Sequence, residues 1–148
     1  MEHRATIDWK RTSDSFTYET YNRDHEWIFH SLAVPASTTP QYLGDAARVN
    51  PEEGFIASLS SCHMLTFLAI CTKRKLSLDS YRDEAVGYVE KNEQGRLAVT
   101  RVILRPQIVW TAGVTVPAAD LEKMHHQAHE NCFIANSVKT NVTVEPRA

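Results

Sequence analysis

Three cysteines are the residues of this sequence most able to do chemistry. Cys62 lies inside the stretch 54–72, which carries no formal charge, Cys71 follows nine residues later, and Cys132 ends a histidine-rich segment. A thiolate is a nucleophile and a metal ligand, and two thiols that meet can form a disulfide. Redox chemistry, metal binding and simple burial are therefore the alternatives for each cysteine.

The spacing of the cysteines separates them into two groups. If residues 54–72 are helical, Cys71 lies about 900° round the axis from Cys62 and so points to the opposite side. We interpret Cys71 as a small buried hydrophobe. Cys62 and Cys132 can meet if their two segments pack together. His63 points about 100° away from Cys62, which argues against a Cys–His dyad. We interpret His63 as a core or interface histidine bonded to backbone.

Metal binding is a weaker alternative. His125 and His129 are four residues apart and Cys132 follows three residues later, a spacing that offers three ligands for zinc. No fourth ligand stands nearby in the sequence. We therefore expect neither a metal nor another cofactor.

A long helix is predicted to begin at Asn50 and to end near Arg74. Asn50 can cap it, Pro51 suits the first helical position, and Glu52 and Glu53 place negative charge at the N-terminus, with Glu53 at the capping-box position. The body of this helix is apolar nearly all round, so we expect it to be buried nearly all round.

Strands and a second helix are predicted for the rest of the chain. The alternation of side chains favours two or three strands within residues 5–10, 16–21 and 25–30, a hairpin over 81–110 that turns at 92–95, and a last strand within 136–146. Residues 34–49 are predicted to be loop and residues 117–132 a helix. The fold class is α+β, with about six strands in one curved antiparallel sheet. One sheet covers only one side of the long helix, which predicts an intertwined homodimer.

Length and composition limit the function. The 148 residues predict a single domain over 1–148. The net charge of −2, without a basic cluster, argues against nucleic acid as a partner. No signal peptide is visible at the N-terminus, which predicts a cytoplasmic protein, and the polar residues within 54–72 argue against a membrane span.

The motifs resemble those of the OsmC-like family, which includes the organic hydroperoxide resistance proteins. The resemblance rests on Asn-Pro-Glu-Glu at 50–53, Ser-Cys-His at 61–63 and a histidine three residues before Cys132. It extends over nearly the whole chain. It implies a thiol peroxidase for organic or lipid hydroperoxides, with an external dithiol, of lipoyl type, as reductant.

The resemblance also implies roles for four residues. Cys62 matches the peroxidatic cysteine and Cys132 the resolving cysteine, while Glu52 matches the family's acid and Arg23 its arginine. Two features depart from the family pattern: Arg23 lacks flanking glycines, and Phe133 and Ile134, in place of Pro-Val, follow the second cysteine. These departures bear on substrate preference more than on the reaction. Arg48 is the second candidate for the active-site arginine. Its alternative role is a surface ion pair.

Helix geometry leads to one further expectation. In a continuous helix, Glu52 and Cys62 are about 15 Å apart along the axis and about 80° apart around it. One arginine cannot easily touch both. If the acid, the arginine and the thiol form one site, Glu52 should come from the partner subunit. The alternative function is a dimer of the same fold that binds a small apolar ligand without catalysis.

Overall fold

The computed structural model describes all residues from 1 to 148 and contains eight strands and two α-helices. The chain forms two compact units, residues 1–54 and 55–148, which are described separately. The α+β class is confirmed. The prediction of one six-stranded antiparallel sheet is wrong in detail, because the strands form three sheets and one of their pairings is parallel.

The first unit contains an antiparallel sheet in the order β1-β2-β3. Its strands are β1 (Thr6–Asp8), β2 (His25–Phe29) and β3 (Leu32–Ala36). A tight turn joins β2 to β3, and His30 adopts a φ of 55° there. Residues 34–36, predicted to be loop, belong to β3. Pro35 is tolerated because β3 lies at the edge of this sheet, where a missing N–H costs no ladder bond.

The predicted strand over residues 16–21 is wrong, because this segment forms a turn. The amides of Thr20 and Tyr21 both donate to the carbonyl of Thr17, at 3.2 and 3.0 Å. The hydroxyls of Thr17 and Thr20 are also 2.9 Å apart. Serine and threonine side chains that bond nearby backbone offer the chain an alternative to a strand. The alternation of aromatic residues therefore did not decide the local structure.

The long helix, α1 (Pro51–Lys73), begins as predicted. The amide of Glu53 donates to Asn50 Oδ1 at 2.8 Å, and the amide of Asn50 donates to Glu53 Oε2 at 3.0 Å. This reciprocal pair is the predicted capping box. Gly54 follows it, and a Cβ atom there would lie 2.4 Å from the Trp27 ring. The close approach of Trp27 explains why glycine occupies this helical position.

Burial of α1 differs from the prediction. Its buried side chains form one stripe, made of Leu59, His63, Phe67, Ile70 and Cys71. Leu65, on another side, is 60% exposed in the single chain. The helix is long and apolar enough to cross a membrane by length and composition alone, a test that core helices of soluble proteins also pass. The predicted cover by a second copy stays a prediction.

The second unit contains two sheets and α2 (Ala118–Asn131). One sheet pairs β4 (Leu78–Asp83) with β7 (Pro106–Trp110), and the other has the order β5-β6-β8, with β5 (Val86–Lys91), β6 (Leu97–Leu104) and β8 (Asn141–Val144). The predicted hairpin turns at Asn92–Arg96 as expected. Its first long strand is interrupted at Glu84, between β4 and β5, and its second at Arg105, between β6 and β7. The Asp83 carboxylate accepts the amide of Arg105 at 2.6 Å, which takes this amide out of the ladder.

The core of the second unit has two clusters. One contains Phe67, Ile70 and Cys71 of α1 with Met124 and Ala128 of α2. The other lies where α1 meets β6 and β8. The first cluster holds α2 against α1, and the predicted helix over 117–132 is confirmed with Pro117 as its N-cap.

Candidate active site

Cys62 and Cys132 lie together in the second unit. Cys62 is half-buried in α1, and Cys132, 1% exposed, is the residue that ends α2. Burial raises the pKa of Cys132 to about 11, and the nearby Cys62 side chain acts in the same direction. Cys132 is therefore a protonated thiol at neutral pH. The two cysteines that could meet if their helices pack together are thus neighbours in the structure.

The position of Cys132 is fixed by backbone groups around it. Its own amide donates to the carbonyl of His129 at 3.3 Å, which closes the last turn of α2. The amide of Ala135 donates to Cys132 Sγ at 3.4 Å and lowers the pKa of this thiol slightly against the larger effect of burial. The thiol thus lies at a helix end whose geometry does not depend on a flexible side chain.

Cys71 lies in the core, apart from this pair. It is 1% exposed and packs with Phe67 and Met124. Burial raises its pKa, since a thiolate is poorly solvated there. The interpretation of Cys71 as a small buried hydrophobe is confirmed.

His63 and His125 form a buried pair that the sequence did not predict. Nε2 of His63 and Nδ1 of His125 are 3.0 Å apart, and the side chains are 1% and 3% exposed. The expected bond from His63 to backbone is absent. Burial lowers the pKa of each imidazole to about 4, so both rings are neutral at pH 7. The pair supplies no positive charge to Cys62 at that pH.

The zinc alternative finds no support in the structure. No group of three or more histidine, cysteine, aspartate or glutamate side chains is arranged to hold a metal ion. His125 uses Nδ1 in its bond with His63. The spacing of His125, His129 and Cys132 therefore does not produce a shared ligand set.

Arg23 lies in the first unit and is 8% exposed. Its guanidinium donates to the carbonyls of Tyr18 and Tyr21 and lies 3.7 Å above the Tyr21 ring. Its Nε has no hydrogen-bond partner within the chain. A buried guanidinium with an unused N–H is a fixed positive charge with one donor left for another group.

A cavity of about 710 Å³ lies beside Arg23. Five of its ten lining residues are Trp, Phe or Tyr. The lining residues are Trp9, Phe16, Tyr18, Tyr21, Arg23, His25, Ser37, Thr38, Tyr42 and Pro51. All of them belong to the first unit. The cavity combines an apolar wall with a buried cation, a combination suited to an apolar molecule that carries a polar or anionic group.

Glu52 and Arg48 complete the set of predicted residues. Glu52 is half-buried, its Oε2 has no partner, and it makes no ion pair with Arg23. Arg48 pairs with Asp24 at 3.3 Å and with Asp45 at 3.6 Å. Arg48 is thus already neutralised by carboxylates, whereas Arg23 is not. The combination of Arg23, Glu52 and Cys62 in one site stays a prediction.

Comparison with known proteins identifies the family of this chain. A family model described as OsmC-like protein matches residues 44–147. The solved structure of an OsmC-like protein of unknown function from Vibrio cholerae is 48% identical to this chain, with 99% of each chain covered and a TM-score of 0.94. A search of curated proteins finds no match.

More distant structures share the fold. A protein from Legionella pneumophila, named organic hydroperoxide resistance protein OsmC, is 19% identical, with 97% of this chain and 95% of that chain covered and a TM-score of 0.66. An organic hydroperoxide resistance protein from Elizabethkingia anophelis is 19% identical, with 99% and 96% covered and a TM-score of 0.67. At these identities the likeness shows the fold alone.

Proposed function

Since this chain belongs to the OsmC-like protein family, we propose that it is a thiol-dependent peroxidase that reduces organic or lipid hydroperoxides. The observation that carries the proposal is the pair formed by Cys62 and Cys132, of which Cys132 is held as a protonated thiol. A peroxidatic cysteine needs a second thiol within reach, and that second thiol should not itself be consumed by peroxide.

The reaction follows from the chemistry of the two thiols. The Cys62 thiolate attacks the terminal oxygen of the hydroperoxide, and the O–O bond breaks. Cys62 becomes a sulfenic acid, and the departing alkoxide takes up a proton to become an alcohol. The Cys132 sulfur then attacks the Cys62 sulfur and gives up its proton, the S–O bond of the sulfenic acid breaks, and a disulfide and water are formed. An external dithiol, of lipoyl type, reduces this disulfide and is itself oxidised. The cycle needs no metal or other cofactor.

Arg23 is proposed to activate the peroxidatic thiol. A fixed positive charge stabilises the Cys62 thiolate and the negative charge that develops on the departing oxygen. The buried guanidinium of Arg23, with its unused Nε, meets that requirement better than Arg48, which two carboxylates already neutralise. A bidentate carboxylate is well suited to hold an arginine in place.

We place that carboxylate, Glu52, in the active site of a partner subunit within a homodimer. Arg23 and Glu52 of one chain make no ion pair, and one oxygen of Glu52 is buried without a partner. α1 is continuous from Pro51 to Lys73, as the estimate of the distance between Glu52 and Cys62 requires. We expect the enzyme to act in the cytoplasm, without nucleic acid or membrane as a partner.

A dimer that binds a small apolar ligand without catalysis is the alternative. The aromatic cavity beside Arg23 is the observation that favours it. The two functions differ in whether hydroperoxide is consumed. Catalytic turnover distinguishes them, because a binding protein lowers the free concentration of ligand only once.

The test is a turnover assay with dihydrolipoic acid as reductant and a panel from hydrogen peroxide to a fatty-acid hydroperoxide. We expect many turnovers with organic hydroperoxides, loss of turnover in Cys62→Ser, and normal turnover in Cys71→Ala, the matched control thiol. Wild-type protein that consumes no hydroperoxide would contradict the proposal. A preference for hydrogen peroxide would contradict the organic substrate class.

A further inference from the structure

We propose that His63 and His125 are positioning residues, whose hydrogen bond holds α2 against α1 so that Cys132 stays close to Cys62. The geometric part of this inference stands on the second unit alone. Its consequence for catalysis rests on the proposed function. Neither histidine touches the hydroperoxide in this account, so both act through the cysteine pair.

The bond between the two histidines joins α1 to α2 inside the core. His63 is the residue next to Cys62 on α1, and His125 lies seven residues before Cys132, close to two full helical turns. The histidine pair and the cysteine pair therefore link the same two elements. A displacement of α2 that lengthens one link must also disturb the other.

His125 is held from two directions by α1. Its ring bonds to His63 and stacks on Phe67, with ring centroids 4.4 Å apart and planes 18° apart. His63 and Phe67 are one turn apart on the buried stripe of α1. The bond and the face contact restrain this imidazole from two directions and so restrain the rotation and the height of α2 on α1.

The bond needs one nitrogen that donates and one that accepts. In the neutral state, each ring keeps a second buried nitrogen without a partner, Nδ1 of His63 and Nε2 of His125. Two such unpaired groups are costly, so a pair of apolar side chains would be a simpler way to fill the same space. What the histidines add over apolar side chains is a directional contact.

The consequence is a high effective concentration of the two thiols. Disulfide formation from two thiols of one chain depends on how often the sulfurs meet in the correct geometry. A typical buried hydrogen bond stabilises its geometry enough to change an equilibrium by about tenfold. We therefore expect about a tenfold lower effective concentration for the Cys62–Cys132 disulfide when the bond is removed.

Four variants separate the bond from the fold. His125→Phe removes the bond but keeps an aromatic ring against Phe67, and the double variant His63→Met/His125→Phe makes both positions apolar so that no buried nitrogen is left unpaired. His125→Asn keeps a polar atom near the position of Nδ1 and is the conservative rescue. His126→Asn changes an exposed histidine of the same helix and is the control.

The measurement is the equilibrium of the Cys62–Cys132 disulfide in oxidised and reduced glutathione, read by peptide mass after thiols are blocked. Protein dithiol and one oxidised glutathione give protein disulfide and two reduced glutathiones, so no peroxide enters the experiment. We expect about a tenfold loss in the phenylalanine and double variants and near wild-type values in the two asparagine variants. This result is independent of whether the chain is a peroxidase.

Two results would overturn the inference. Equal disulfide equilibria in the double variant and the wild type would show that packing alone positions Cys132. A loss in His125→Asn together with a wild-type value in His125→Phe would show that the ring, and not the bond, matters. With an alkyl hydroperoxide as oxidant, we also expect more trapped sulfenic acid at Cys62 in the double variant than in the wild type. Failure of the wild-type protein to react with the hydroperoxide would count against the proposed function alone.

Discussion

His63 on α1 and His125 on α2 bond to each other, Nε2 to Nδ1 at 3.0 Å, inside the core of the second unit. Burial lowers the pKa of both rings to about 4 from an ordinary value of 6.5. For His63, the charge of His129 contributes to this lowering of the pKa, and the charge of Asp83 opposes it. The pair is therefore neutral in the folded protein at every pH above about 5. Protonation of either ring at lower pH decreases the free energy of unfolding.

Folding stability should fall as pH decreases from about 6.5 to about 4. In that window the unfolded chain binds protons at His63 and His125 that the folded chain does not, so the free energy of unfolding decreases as pH falls. The free energy of unfolding should decrease by about 3 kcal/mol for one histidine over this range. Chemical denaturation across this range measures it. His126→Asn should keep the decrease, and a double variant His63→Met/His125→Phe with the wild-type slope would contradict the account.

Gly54→Ala should destabilise the protein although alanine is the better helix former. A methyl group at this position would lie 2.4 Å from the Trp27 ring. Overpacking of this kind costs about 1–3 kcal/mol, whereas the gain in helix propensity is about 1 kcal/mol. Denaturant unfolding of Gly54→Ala and of Trp27→Leu/Gly54→Ala tests this. The added cost of the alanine should disappear when Trp27 is replaced, and a cost that persists would point to another cause.

Replacement of Arg23 should reduce the rate of reaction with hydroperoxide far more than replacement of Arg48. Loss of a group that stabilises developing negative charge costs about 10²–10³ in rate. Arg23→Lys should recover part of the rate, since it keeps the charge without the planar fork. Stopped-flow oxidation of reduced protein measures the rate. A greater loss in Arg48→Ala than in Arg23→Ala would reverse the assignment.

A mixed dimer can show whether Glu52 acts in the partner's site. Neither Cys62→Ser nor Glu52→Gln homodimers should turn over at the wild-type rate. If each site combines Cys62 of one subunit with Glu52 of the other, a dimer of one Cys62→Ser and one Glu52→Gln subunit keeps one intact site. We expect about half the wild-type turnover from dimers isolated with two affinity tags, whereas activity no higher than in Glu52→Gln homodimers would place both residues in the same subunit's site.

The sequence predicted those features that depend on local chemistry. The capping box of Asn50 and Glu53, the turn at 92–95 and the second helix each follow from residues close together in the chain. The strand predicted at 16–21 failed because hydroxyl groups of Thr17 and Thr20 stabilise a turn that the alternation of aromatics does not reveal.

Contacts distant in sequence could be predicted only in part. The meeting of Cys62 and Cys132 was expected as a possibility because both lie on helices and carry chemistry. The bond between His63 and His125 was missed, although the same packing of α1 on α2 brings these two residues together. The long hairpin divides into two sheets where the Asp83 carboxylate accepts the amide of Arg105, 22 residues away. No pattern of neighbouring residues predicts this contact.

The most direct test of the central claim is the fate of the three thiols after one equivalent of an alkyl hydroperoxide, without reductant. Free thiols and intact mass are measured in reduced wild type and in Cys62→Ser. We predict loss of two thiols with a decrease of about 2 Da, a Cys62–Cys132 bond in the peptide map, and no change in Cys62→Ser. Wild-type protein that keeps all three thiols at unchanged mass would contradict the claim that this chain is a cysteine peroxidase.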